Sequence, residues 1–119
     1  MSNRYKYVQY ATAKTQRDQL KNLKDQNDAE TKTEAITLNQ AEKALNYQVN
    51  VIITSLENGT PSRAEINEMK RLREIYLSLK TKFDSKQILR KTVTIQLEKK
   101  MLEYEIAKAE LEAEIKNQE

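Results

Sequence analysis

The chain contains no cysteine, no histidine and no tryptophan, and its 119 residues include one glycine, one proline and one phenylalanine. Each absence excludes something. Without cysteine there is no disulfide, no thiolate metal site and no thiol nucleophile, and the redox compartment goes unread. Without histidine, imidazole metal sites, nucleophile–imidazole triads and the commonest general base are gone as well. A single glycine rules out a glycine-rich phosphate loop. Carboxylates remain as the only catalytic candidates. Glu98/Glu105, Glu103/Glu110 and Glu110/Glu114 share helix faces, but they stand among many lysines. A solvated acidic surface describes them better than a catalytic or two-metal site. The expectation is a protein that is not an enzyme and takes no metal or cofactor.

There is also no apolar run of about 18 residues, so no transmembrane segment is expected. The opening Met1-Ser2-Asn3-Arg4-Tyr5 lacks the apolar stretch of a signal peptide. We therefore expect a soluble intracellular protein, or a component of a particle assembled in the cell.

What is present favours helix. The charged fraction is 33% and the hydrophobic fraction 38%, above and below the respective norms for globular chains. Lys, Glu, Gln, Ala and Leu dominate, and all are good helix formers. The one glycine and one proline stand two apart at the midpoint, in Asn58-Gly59-Thr60-Pro61. This predicts an all-α, long antiparallel two-helix coiled-coil hairpin: arm one over about 4–57, a turn at 58–61, arm two over about 62–116. Asn58 and Gly59 suit the left-handed conformation that ends a helix. Thr60 can cap the next helix with Pro61 at its first position, and Ser62 with Glu65 offers a capping box one register later. Asn58-Gly59-Thr60 also matches a glycosylation acceptor, which the helical turn outranks.

Within arm one, Leu38, Ala41, Leu45, Val49, Ile52 and Leu56 form one apolar stripe. Leu20 and Leu23 continue it backward. Residues 25–34 hold little that is apolar and mark a candidate break, although the absence of Gly and Pro favours continuous helix. In arm two, Ile66, Met69, Leu72, Tyr76, Leu79 and Phe83 make a stripe, which Leu89, Val93, Leu97, Met101, Tyr104, Leu111 and Ile115 continue. Ile88, Ile95, Leu102, Ile106 and Ala113 fall roughly opposite. The C-terminal half of arm two is thus apolar on two faces, and the second face needs a partner. Tyr47, Tyr76 and Tyr104 are expected at or beside the stripes, hydroxyls at the rim.

Charge supports the fold-back. Residues 1–24 carry a net +5 and residues 103–119 a net −4; residues 25–42 carry −4 and residues 77–94 carry +4. Basic windows meet acidic ones if the arms are antiparallel, and such flanking charges set alignment more than strength. Each arm would run about 80 Å at a rise of about 1.5 Å per residue. A lone hairpin of that length buries little, so it is expected to belong to a larger helical bundle or oligomer. An intrachain hairpin and a domain-swapped dimer both fit the pattern.

Two further segments bear on partners. Tyr5, Tyr7 and Tyr10 interleave with Arg4 and Lys6, and suit an interface anchor or helix start first, then nucleic acid, then a strand added to a partner's sheet. The segment 70–91 gathers Lys70, Arg71, Arg73, Lys80, Lys82, Lys86, Arg90 and Lys91. It is the best nucleic-acid candidate, set against the simpler match to acidic residues 25–42. The function expected is that of a helical-hairpin scaffold, adaptor, stalk or chaperone in a multi-subunit assembly, with a composition that suits a phage or bacterial component. Its partner would be another protein or a second copy. The alternative is a nucleic-acid-associated helical protein using 70–91 and the N-terminal tyrosines.

Overall fold

The computed structural model describes residues 2–118, with side chains described for residues 4–117. The chain forms two helices, α1 (Ser2–Glu57) and α2 (Arg63–Gln118). They are antiparallel: Lys6 meets Glu110, Glu34 meets Lys86, and Gln48 meets Glu65. The all-α hairpin expected from the sequence is the fold. It packs as two units, Met1–Asp28 with Ile88–Glu119, and Ala29–Gln87. We call the first the terminal unit and the second, which holds the turn, the turn unit.

The inward residues of α1 follow a strict heptad. In the terminal unit they are Lys6, Tyr10, Ala13, Arg17, Leu20, Lys24 and Asn27. In the turn unit they are Thr31, Glu34, Leu38, Ala41, Leu45, Gln48, Ile52 and Ser55. Steps of four and three alternate throughout, the signature of a coiled-coil seam. Along α2 the turn unit turns Glu65, Met69, Leu72, Tyr76, Leu79 and Phe83 inward, and the terminal unit Arg90, Val93, Leu97, Lys100, Tyr104, Ala107, Leu111 and Glu114.

This period corrects part of the apolar pattern. A helix of 3.6 residues per turn drifts by about 20° per heptad against a 3.5-residue repeat. Apolar residues assigned by 3.6 therefore slip out of the seam. Val49, Leu56, Leu89, Met101 and Ile115 are exposed. The seam takes Gln48 and Ser55 where Val49 and Leu56 were expected, and Arg90, Lys100 and Glu114 beside Leu89, Met101 and Ile115. The core is thin as a result: in the terminal unit Ala13, Leu97, Tyr104 and Leu111 are buried.

The candidate break at 25–34 is absent, and α1 runs through it. No proline there removes a backbone donor, no residue there takes positive φ, and an i,i+4 ion pair supports the turn that enters the segment. Lys24 Nζ donates to Asp28 Oδ2 at 2.8 Å, while the Thr33 hydroxyl satisfies itself on the Ala29 carbonyl at 3.4 Å without ending the helix.

At the turn, the Asn58 N–H still donates to the Thr54 carbonyl at 3.2 Å. Gly59 then takes φ of 143°, a region open to glycine but well away from the left-handed cap near 57°. Ser62, not Thr60, caps α2. Its hydroxyl accepts the Glu65 N–H at 3.1 Å, and its own N–H donates to Glu65 Oε1 at 3.3 Å. This is the reciprocal capping box. Glu65 also accepts a hydrogen bond from the Ser55 hydroxyl on α1. That bond first, and then the N–H and hydroxyl of Ser62, hold the Glu65 carboxyl below its ordinary value. The cap thus also ties the two helices together.

Candidate interaction surface

α2 in the terminal unit has two faces of different character. Toward α1 it presents Leu97, Tyr104 and Leu111, all buried. The Tyr104 ring lies 5.4 Å from the Tyr10 ring, centroid to centroid, and the two hydroxyls are 3.4 Å apart. Arg17 places its guanidinium carbon 3.9 Å from the centroid of Tyr104. Tyr104 is held below the usual tyrosine value by the Tyr10 hydroxyl and then by Arg17, while the same hydroxyl contact raises Tyr10. Lys6 pairs with Glu110 at 3.2 Å.

The other face carries Ile88, Ile95, Leu102 and Ile106, exposed by 70%, 57%, 66% and 59%. Ala113 is exposed on the same side. Ile88, Ile95, Leu102 and Ala109 recur every seven residues, with Thr92, Lys99, Ile106 and Ala113 beside them in a second row. On a helix packed through a heptad seam, these rows lie on the side turned away from it. Glu98, Glu105 and Glu112 form a third row of the same spacing on one flank of the stripe, and Glu103 and Glu110 stand on the other. From the sequence, Glu98, Glu103, Glu105 and Glu110 read as poor catalytic candidates, and the acids of 103–119 as a window matching the basic start of α1. Their seven-residue spacing beside an apolar row was the available signal.

The N-terminal tyrosines divide. They stand on α1 from its first turns, so the added-strand expectation does not hold in this fold. Short alternation of Tyr5 and Tyr7 yields here to continuous helix. Tyr5 and Tyr7 are exposed, whereas Tyr10 is half-buried against Tyr104 within the chain. Tyr47, expected beside the seam, is 71% exposed. It sits next to Gln48, and the strict heptad gives the inward position to Gln48.

Four of the eight basic residues in the segment 70–91 pair with carboxylates in the described contacts. Lys86 reaches Glu34 on α1 at 2.9 Å. Arg71 pairs with Glu68, Arg73 with Glu74 and Lys80 with Asp84, all along α2. Lys70, Lys82 and Lys91 are exposed, and Arg90 is half-buried. Among the described residues no group of three or more acidic side chains is arranged to hold a metal ion, and no helix is long and apolar enough to cross a membrane.

No protein-family model, curated protein or solved structure matches this chain.

Proposed function

We propose that the chain is a non-enzymatic interaction protein, a helical hairpin acting as scaffold, adaptor, stalk or chaperone within a multi-subunit assembly. One observation carries this: the apolar stripe Ile88, Ile95, Leu102 and Ile106 on the outward side of α2. Isolated exposed apolar residues need no explanation, but a row at coiled-coil spacing resembles a helix–helix interface. The thin core adds support, because a protein with so little buried gains stability from a partner.

The test replaces Ile95, Leu102 and Ile106 together with Gln in the full chain. Binding to a partner, or self-association measured by light scattering, should fall while helicity by circular dichroism is retained. Unchanged association and unchanged capture of partners would remove the proposal. Binding to nucleic acid is the separate outcome: it must appear at low salt and weaken steeply as salt rises.

A further inference from the structure

We infer that the outward stripe of α2 docks a helix of another protein, one with an apolar heptad seam flanked by lysine or arginine, and not a second copy of this chain. The inference rests on the interaction reading above and names the chemistry of the partner.

The stripe has the layout of one half of a coiled coil. Ile88, Ile95, Leu102 and Ala109 make one core row, and Ile106 and Ala113 contribute to the other. Lys99 interrupts that second row, and its methylene stem can lie along the seam with the ammonium at the edge. The flanking positions of such a seam choose the partner. Here they hold Glu98, Glu105 and Glu112 on one side and Glu103 and Glu110 on the other, with Lys91 the one base among them. Glu98, Glu105 and Glu112 are exposed and enter no ion pair among the described residues. Glu103 and Glu110 are held by Lys100 and Lys6, so the unpartnered charge lies on one flank.

There is also a hollow beside the stripe that side chains of a docked helix can enter. An open groove of about 400 Å³ runs between α1 and α2 in the terminal unit. Val8, Thr12 and Ala13 line it from α1, and Glu103, Ile106 and Glu110 from α2. Ile106 belongs to both the groove and the stripe, so the two form one continuous surface.

A second copy fits poorly. Parallel pairing of the stripe with itself sets Glu98 against Glu103 and Glu105 against Glu110. Antiparallel pairing over its full length gains Lys91 with Glu112 but sets Glu98 against Glu105. The outward side of α1 in the same unit carries the exposed Tyr5 and Val8 only in its first turns and continues with Thr12, Thr15, Gln19 and Asn22, too polar to complete an apolar seam along its length. A helix with basic flanks meets a like charge only at Lys91 on these flanks.

Two labelled four-heptad peptides test this against the full-length protein by fluorescence anisotropy at low ionic strength. Both carry Ile and Leu at the seam positions; one has Lys at every flanking position and the other Glu. Self-repulsion keeps each peptide monomeric. The Lys peptide should bind about tenfold or more tightly than the Glu peptide, and the contrast should shrink as salt is raised. In the protein variant with Glu98, Glu105 and Glu112 changed to Lys, the preference should reverse. In the variant with Ile95, Leu102 and Ile106 changed to Gln, both peptides should lose binding. Equal binding of the two peptides, no reversal in the Lys variant, or an unaffected Gln variant each overturns the inference. Self-association that the Gln variant abolishes, without any charge preference, would sink this inference and leave the interaction reading standing. Association that the Gln variant leaves intact would sink both.

Discussion

Arg17 on α1 sits with its guanidinium carbon 3.9 Å from the centre of the Tyr104 ring on α2. A cation over an aromatic face is attracted by the ring's quadrupole, and the pair here also shields part of the seam from water. The guanidinium is bonded at the same time to Asp18 Oδ1, through Nε at 3.1 Å and Nη2 at 2.8 Å. Asp18 therefore fixes Arg17 in place over the ring. We predict that thermal stability falls in the order Tyr104→Ala most, then Arg17→Gln, then Tyr104→Phe least. Phe keeps the ring under the guanidinium and loses only the hydroxyl's contacts, with Tyr10 at 3.4 Å and with Arg17. Melting followed by circular dichroism checks the order. A Phe variant as unstable as the Ala variant would mean that the hydroxyl, not the ring, holds the helices together here.

The cap at Ser62 should have a pH signature. Ser62→Ala removes the hydroxyl that accepts the Glu65 N–H and should cost about 1 kcal/mol at neutral pH. The Glu65 carboxyl is held below its ordinary value by Ser55 first and then by Ser62. A depressed acid stabilises the fold fully above its unfolded value, near 4.3, and loses that contribution as pH falls through the folded value. Acidification from pH 5 toward about pH 3 should therefore lower the melting midpoint through this group. Glu65→Gln should be less stable than the native chain at pH 7 and closer to it at pH 3. A gap between the two proteins that is constant with pH would refute the assignment.

Much of the fold was legible because its signals are local. One glycine and one proline near residue 60 placed the turn, and Ser62 with Glu65 was visible as a capping box. The charge windows anticipated the pairings actually made, Lys6 with Glu110 and Glu34 with Lys86. The seam was less legible because it depends on a period that only the paired helices impose. Val49 and Leu56 looked like core by their spacing, yet the 3.5-residue repeat turns Gln48 and Ser55 inward. Arg17 and Tyr104 lie far apart in sequence and have no shared motif, so their contact follows from register alone. The outward stripe was legible in part. Ile88, Ile95, Leu102 and Ile106 announced themselves as apolar, while the acidic row at Glu98, Glu105 and Glu112 gains meaning only once that side of the helix is known to face outward.

The two faces of α2 make opposite demands on leucine. Leu97 is 7% exposed and Leu102 is 66% exposed. Leu97→Ala should cost about 2–3 kcal/mol, since it removes buried methyl groups and leaves a gap that partly persists. Leu102→Ala should stay within about 0.5 kcal/mol in the isolated chain. Urea denaturation measures both. Comparable losses at the two sites would mean that the outward face is already covered in solution, as it would be in an oligomer.

Gln48 gives the sharpest test of what the seam is for. It is 8% exposed, and its Nε2 donates to the Glu65 carbonyl across the hairpin at 3.0 Å. A polar residue at a seam position fixes register at a cost in stability. Gln48→Leu keeps the volume nearly constant, and the Glu65 carbonyl retains its bond within α2. The variant should gain about 1 kcal/mol of stability. It should also align the helices less uniquely. Spin labels at Lys43 and Arg73, both exposed and within the turn unit, should report one narrow distance distribution in the native chain and a broader one in the variant. A variant that is less stable, with its distribution still narrow, would show that the hydrogen bond contributes more than the apolar contact replacing it, and that other pairs hold the register.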